Sequence, residues 1–492
     1  MTLFSVRSIL KFDNLMLLPI LGLAFYIAFI PHQNYPYAIH VDEWVDIVRS
    51  NMLIDAGSVT FPGVFSLEVG FHLFWGVFQA ISGISWMDIF MYLPGIIFII
   101  TVLSVYILAR REGFGWEAAF FTCLIPTTVG VLGPAFLVPV AMGLLFTPLY
   151  LFLAFNFRTI WSYLLIFIFT AFLLSIHAPS AISPIIVLIP YILLNLKGNF
   201  KHSLGIGLAL ILPFLAAIVI FPWIFSLLLP TASGLFTPQS TTEYVQLPRV
   251  IQDYGYLPII FCLLGTFALA IRGGKKNYGL VLGLLALLLM LVTFFTFHYG
   301  VSIMYERGLM YMMLMVSIVA GAGLAAVKNL KLPEEFTARL KVLSIMRNIG
   351  YIFCLALIGL TLYVAIPARQ NTPYYLMIDE EDYQAFVWIR DNVNGDYAKA
   401  ILDPWKATAF IALTGKDIYT RIHMAPTDID NEAYAFLRNG SDNTTFLREN
   451  GISIVYTRVF DGAQNIEYSS DNPDLVEVAK NIYLLKEAET GE

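Results

Sequence analysis

Charge is what this chain has least of. Only 13% of its 492 residues are Asp, Glu, Lys or Arg, about half the share usual in a soluble chain. Hydrophobic residues make up 58%. A water-soluble globule is excluded, because apolar runs of about 20 residues recur and match the thickness of a hydrocarbon core. Basic excess is also missing: the net charge is −6, which excludes a nucleic-acid binder. Cysteine is scarce. Cys123, Cys262 and Cys354 are far apart in apolar runs, with no CxxC or zinc spacing, and read as small buried hydrophobes. No low-complexity tract and no pair of inverted halves is visible, which weighs against a transporter. A leader cleavage site is lacking too. Arg7 and Lys11 precede the first apolar run, but Pro-His-Gln-Asn-Tyr-Pro follows it, so that run reads as a retained helix.

What is present is a polytopic α-helical membrane protein. Candidate spans lie at roughly 15–31, 88–108, 116–133, 135–155, 160–176, 180–196, 204–229, 257–271, 278–297, 308–327 and 349–367, about eleven by the length rule. Charge supports this count. With the N-terminus cytoplasmic, 15 of the 18 basic residues before Ala368 fall on one side: Arg7, Lys11, Arg110, Arg111, Arg158, Lys197, Lys201, Arg272, Lys275, Lys276, Lys328, Lys331, Arg339, Lys341 and Arg347. Arg49, Arg249 and Arg307 fall on the other. That is the positive-inside pattern. Residues 64–84 are apolar enough to imitate a span, yet carry Glu68, His72 and Gln79. Reading them as a span would invert every later loop, so they read as an interfacial helix inside a long outer loop, 32–87. Pro126, Pro139, Pro148 and Pro213 lie within the spans, which bilayer helices tolerate when neighbours satisfy the freed carbonyls.

From Ala368 onward there are 11 basic and 21 acidic residues. The chain therefore divides into 1–367, in the membrane, and 368–492, a small α/β domain expected on the non-cytoplasmic side. Its pattern predicts helices at 379–394, after Asp403-Pro404-Trp405 up to Leu413, at 432–437 and at 444–449. Strands are predicted at 398–402, 417–420 and 452–457. Asn439-Gly440-Ser441 and Asn443-Thr444-Thr445 are acceptor sequons.

The stretch with most chemistry is His40-Val41-Asp42-Glu43-Trp44-Val45-Asp46, with three carboxylates in seven residues. Acidic side chains beside a bilayer are costly unless a ligand, partner or water takes up the charge. Asp42 and Glu43 also fit the first turn of a helix from Val41, where the dipole favours negative charge. The chemical reading makes Asp42 a general base, since a sugar hydroxyl must lose its proton during attack. Arg49 is available to pair with Asp46 or Asp42. Glu68 and His72, four apart, have the spacing to complete a divalent-metal site with Asp42.

This layout resembles the GT-C superfamily of membrane glycosyltransferases: a first span, a long outer loop opening on an acidic pair, an interfacial helix, many further spans and an outer soluble domain. His40-Val41-Asp42-Glu43-Trp44 resembles the Asp-Glu motif of the protein mannosyltransferase and aminoarabinose transferase branch. The resemblance implies a polyprenyl-phosphate-linked sugar as donor, a glycan, lipid or protein as acceptor, inversion at the sugar, and Asp42 and Glu43 as the catalytic pair. The Trp-Trp-Asp motif of oligosaccharyltransferase catalytic subunits is absent, which points to transfer of a single sugar. A leaving lipid phosphate needs a cation. Arg307, in Met304-Tyr305-Glu306-Arg307-Gly308, is the expected one, because guanidinium matches phosphate geometry. Glu306, His177 and His298 are the expected companions of the donor phosphate, with Asp46, Arg49, Glu68 and His72 in support. The resemblance requires no cofactor; a divalent metal is the one candidate, since the superfamily is mixed on metal dependence. The expected location is the cell membrane or another secretory-type membrane. The alternative is a flippase or transporter of lipid-linked glycans, against which stand span interiors nearly free of charge.

Overall fold

The computed structural model describes residues 12–58, 68–128, 132–222, 237, 251, 254–300, 302–330, 349–374, 376–422, 425–462 and 464–486. Arg7, Lys11, Arg249, Lys331, Arg339, Lys341 and Arg347 lie outside them, as does the side chain of Glu306. The described chain forms two compact units. The first takes in Met1–Asn34, Phe65–Phe74 and Asp88–Tyr374; the second takes in Tyr35–Val64, Trp75–Met87 and Tyr375–Glu492.

In chain order the helices up to residue 370 are α1 (Leu17–Phe29), α2 (Val41–Ala56), α3 (Val69–Ser82), α4 (Trp86–Arg110), α5 (Gly115–Cys123), α6 (Pro139–Asn156), α7 (Ile160–Ile176), α8 (Ala178–Leu196), α9 (Phe200–Ile220), α10 (Tyr256–Arg272), α11 (Lys275–Phe297), α12 (Ser302–Lys328) and α13 (Ile349–Gln370). Among the described residues seven are long and apolar enough to cross a membrane: α4, α6, α8, α9, α11, α12 and α13. Helices α1, α3, α7 and α10 are apolar but shorter. Large apolar side chains stand exposed around the outside of the first unit, such as Ile271, Val219 and Tyr363, a surface that suits lipid and not water. This is a multi-pass membrane protein.

The third expected span is different. Helix α5 has only nine residues, about 14 Å against the roughly 30 Å of a hydrocarbon core. It stops at Leu124 because Pro126 cannot continue it, and Gly130, Gly133 and Pro134 follow. The described chain from Leu124 to Val138 is non-helical and almost wholly buried. Irregular backbone is tolerated at membrane depth when protein surrounds it. The expectation that a continuous span tolerates Pro126 does not hold here.

Helix α12 is the buried centre of the first unit. Its run Ala320-Gly321-Ala322-Gly323 lets backbones approach closely. A Cβ on Gly321 would overlap Ala118 of α5, and Cβ atoms on Gly323 and Gly265 would overlap the facing backbones of α10 and α12.

One end of this bundle gathers the basic residues. Arg272 donates to the Glu112 carbonyl at 2.6 Å, and Lys276 donates to Asn156 Oδ1 at 2.9 Å and Glu112 Oε1 at 3.4 Å. Arg158 donates to Asn199 Oδ1 at 3.0 Å. Lys328 pairs with buried Glu117 and lies 5.0 Å from the Trp116 ring centre. The turns after α4, α6, α8 and α10 and the end of α12 thus meet, as the charge pattern required. The opposite end of the same unit holds Glu68, His177, His298 and Arg307.

The second unit contains α2 and an α/β domain: α14 (Glu380–Asn392), β1 (Lys399–Ile401), α15 (Ala407–Thr414), β2 (Asp417–Ile418), α16 (Asp428–Arg438), α17 (Thr444–Glu449), β3 (Ile454–Tyr456), β4 (Arg458–Phe460), β5 (Asn465–Glu467), β6 (Leu475–Ala479) and β7 (Ile482–Leu485). The main sheet has the order β2-β1-β3-β7-β6. Strand β1 runs parallel to β2 and β3, whereas β7 runs antiparallel to β3 and β6. Its core is Ile401, Leu437, Leu447, Ile452 and Val455. Asp403 is structural: its carboxylate accepts from Trp405 N, Phe460 N and Tyr434 Oη. Burial still pushes its pKa up.

Candidate functional site

The acidic motif is the first turn of α2, and its neighbours explain why the helix starts there. His40 is extended, and its Nδ1 accepts the Asp42 N–H at 3.1 Å. Glu43 Oε2 accepts the N–H of Ile39 at 2.9 Å and of His40 at 3.2 Å. This reciprocal cap satisfies N–H groups that a helix start otherwise leaves orphaned. Glu43 is fully buried by this work, and Asp46 is nearly so. Asp42 differs: its side chain keeps 29% of its exposure. His40 Nδ1 lies 3.6 Å from Asp42 Oδ2, but a nitrogen that accepts an N–H carries no proton of its own on that atom. The contact is not an ion pair. Arg49 is exposed further along the same helix.

The α/β domain holds α2 in place. Trp44 is fully buried, worth about 3 kcal/mol by area, and α2 packs against α15. Before the helix, Tyr37 Oη donates to Glu380 Oε2 at 2.6 Å, the Tyr37 and Tyr383 rings meet at 5.0 Å, and Ile378 N donates to Tyr35 Oη at 3.4 Å. From the other side, Trp86 Nε1 donates to Asn51 Oδ1 at 3.0 Å. The outer-loop helix and the C-terminal domain are one unit, a grouping the sequence did not reveal.

In the first unit a second polar group forms at the end away from the basic turns. His177 is the single residue between α7 and α8, extended and 2% exposed. Its Nδ1 lies 2.6 Å from Ser180 Oγ and its Nε2 lies 3.8 Å from Glu68 Oε1. Burial, and then the Arg307 charge, push its pKa down to about 3, so the imidazole is neutral near pH 7 and the Glu68 contact is dipolar. Gly143 of α6 makes room here: a Cβ on it would overlap both Ser180 and the Tyr311 hydroxyl. Tyr311 is fully buried one turn after half-buried Arg307 on α12. His72 is fully buried one turn after Glu68, its N–H on the Glu68 carbonyl at 3.3 Å. His298 caps α11 in the left-handed region, at φ 59°.

Asp42, Glu43, Asp46 and Arg49 share α2, while Glu68, His72, His177 and Arg307 share one end of the helical bundle. Ser180 and Tyr311 were not anticipated. Their signals were faint: a hydroxyl three residues after His177, and a tyrosine four residues after Arg307 on a helix.

No described protein family matches the sequence, and no curated protein is similar to it in sequence. Solved structures are similar in fold. The oligosaccharyltransferase of Archaeoglobus fulgidus in its apo form superimposes with a TM-score of 0.59 at 12% identity, over 90% of this chain and 69% of that one. The same enzyme tethered to an acceptor peptide containing an NVT sequon gives 0.59 at 13% identity, over 91% and 69%. Its complex with an inhibitory peptide and a dolichol-phosphate, there named archaeal oligosaccharyltransferase AglB, gives 0.58 at 12% identity, over 93% and 70%. The chain shares its fold with this archaeal oligosaccharyltransferase, and the likeness is one of fold.

Proposed function

We propose that this chain is a glycosyltransferase that moves a single sugar from a polyprenyl-phosphate donor, with inversion, to an acceptor on the non-cytoplasmic face. The observation that carries the reading is the state of the three carboxylates on α2. Glu43 is consumed by the helix cap and Asp46 is buried, while the Asp42 N–H is held by His40 and its carboxylate is left part-exposed, in a fold shared with an archaeal oligosaccharyltransferase solved with a dolichol-phosphate. Asp42 is the base: it accepts the acceptor's proton as the new bond to the sugar forms and the bond to the lipid phosphate breaks. Glu43 is a positioning residue that fixes the start of α2.

Arg307 takes up the charge that develops on the leaving phosphate. Neutral His177, oriented by Ser180, donates a hydrogen bond to the same group, with His298 and Glu306 beside the donor and Asp46 and Arg49 supporting Asp42. One solved structure of similar fold is a complex with zinc and sulfate. Glu68 and His72, one turn apart, offer an oxygen and a nitrogen donor to a divalent ion, which when bound would act as a Lewis acid toward phosphate oxygen; no step here depends on it. The positive-inside pattern puts the N-terminus in the cytoplasm and the domain after residue 368 outside. The absence of Trp-Trp-Asp favours single-sugar transfer.

The test is transfer of labelled sugar from polyprenyl-phosphate donors in membranes containing the full chain. Wild type is expected to transfer, and Asp42→Asn to insert normally and lose transfer. Transfer at the wild-type rate by Asp42→Asn would refute the base. Movement of intact lipid-linked glycan across the bilayer without any transfer would favour the flippase.

A further inference from the structure

The acceptor asparagines of the two sequons in the C-terminal domain are four residues apart, yet the fold treats the two triplets in opposite ways. In Asn439-Gly440-Ser441, Asn439 is exposed at the end of α16, but Ser441 is fully buried. Ser441 also adopts a left-handed backbone, φ 58°, after Gly440 at φ 78°. Four bonds hold this turn: Ser441 N–H donates to the Phe436 carbonyl at 3.1 Å, Ser470 Oγ to the Gly440 carbonyl at 2.8 Å, Asn472 Nδ2 to the Ser441 carbonyl at 2.9 Å, and Asn472 N–H to Ser470 Oγ at 3.3 Å. The hydroxyl that makes this triplet a sequon is sealed beneath it.

In Asn443-Thr444-Thr445 the arrangement is reversed. Asn443 and Thr445 are both exposed. Asn443 Oδ1 accepts the Phe446 N–H at 3.0 Å and so caps α17, which orients the side chain while its nitrogen remains outward of that bond. Thr444 alone turns inward, to Asn472 Oδ1 at 3.1 Å and Asp474 Oδ2 at 2.8 Å. Attachment of a sugar at Nδ2 keeps the amide carbonyl, so the cap survives modification.

We infer that Asn443, and not Asn439, is an N-glycan acceptor in the folded chain. The co-reactant is a lipid-linked oligosaccharide brought by a separate oligosaccharyltransferase. The C1–O bond to the lipid phosphate breaks, a C1–Nδ2 bond forms, one amide proton leaves to that enzyme's base, and the lipid carries away the phosphate. Only the third-residue hydroxyl distinguishes a sequon from any other asparagine, so a transferase must reach it together with Nδ2. The fold offers both at 443–445 and withholds one at 439–441. The inference rests on the outer placement of the domain proposed above, and not on the chain's own activity.

The experiment produces the full chain in cells whose secretory membranes hold an oligosaccharyltransferase and its lipid-linked oligosaccharide, maps glycans by mass spectrometry, and treats the isolated microsomes with protease as a topology control. One glycan is expected, at Asn443. It should vanish in Asn443→Gln and Thr445→Ala and persist in Asn439→Gln and Ser441→Ala. Asn472→Ala, which frees the Ser441 turn, should add a second glycan at Asn439. Modification of Asn439 in wild type, or no glycan on a domain that is protected from protease, would overturn the site alone. A domain cut by added protease would overturn the outer placement and the site with it.

Discussion

The two units handle charge in opposite ways, and the difference follows from their solvents. Among its described residues the first buries few ions: Glu117 with Lys328, and Arg369, which donates to the Leu124 carbonyl at 2.9 Å. Arg158, Arg272, Lys276 and Lys328 are drawn to one end, where Asn199, Glu112, Asn156 and Glu117 meet them. The second puts ions into its core. Lys406, 1% exposed at its side chain, donates to fully buried Asp382 at 2.8 Å. Tyr456 Oη donates to the same oxygen at 2.8 Å, and Arg458 lies 2.9 Å from it while forking onto Asp379 at 2.6 and 2.7 Å. A unit with water around it has other polar groups to complete such a network. A unit wrapped in lipid cannot afford an unpaired ion and sends it to the rim. The acidic helix α2 belongs, by its contacts, to the ion-tolerant unit. This is why three carboxylates can sit so close together.

The largest expected break in this comparison is Lys406→Ala. It removes one of two cations on Asp382, leaving Arg458 and Tyr456, and opens a cavity in the α/β core; it should destabilise the second unit by about 3 kcal/mol, the low end for a broken buried pair, with the membrane helices unchanged. Hydrogen exchange, resolved by peptide, checks this: protection should fall across β1, β3 and β7 and in α2, and hold in α12. Equal loss in α12 would mean that the units do not unfold separately. Next comes Gly321→Leu, which inserts a side chain where α12 meets Ala118. It should cost about 1–3 kcal/mol or more, seen as a lower melting temperature of the membrane unit in detergent, with the second unit's exchange unaltered.

A smaller effect is expected from Ser180→Ala. Losing one hydrogen bond to His177 is worth about 1 kcal/mol, so the donor KM should rise several-fold with kcat nearly constant. A fall in kcat alone would remove Ser180 from donor binding. The smallest effect concerns acid. Burial alone would raise the Asp379 pKa, but Arg458 and the Asp382 N–H hold it below the usual carboxylate range. The unfolded chain therefore binds this proton more readily, and the stabilisation is present at neutral pH and lost as the pH falls below about 4. Pepsin should cut the second unit faster as pH drops through that window, and Asp379→Asn should flatten the dependence.

Much of this was legible beforehand, and the gaps have physical causes. Long helices such as α4, α11 and α12 announce themselves by apolar length, and α2 by its acidic first turn. Helix α5 was misjudged because Pro126 and Gly133-Pro134 interrupt an apolar run that composition alone treats as continuous. Strands β4 to β7 were not predicted; in β4, β5 and β6 the polar residues Arg458, Asn465, Glu467 and Glu477 break up the apolar run that marks β3. The cap on α2 was hidden by His40, which does the work usually given to Ser, Thr, Asp or Asn. Ser180 and Tyr311 could not be paired from sequence, since Gly143, Ser180 and Tyr311 come from three helices. Nor does any local pattern reveal that the outer-loop helix packs with a domain more than 300 residues later.

The central claim is that Asp42 performs proton removal while Arg307 serves the donor phosphate, and steady-state kinetics of the two variants side by side test it most directly. Asp42→Asn should lower kcat by about 10²–10⁴-fold with the donor KM little changed, and Arg307→Ala should raise the donor KM. An Asp42→Asn enzyme with wild-type kcat, folded and inserted, would contradict the account.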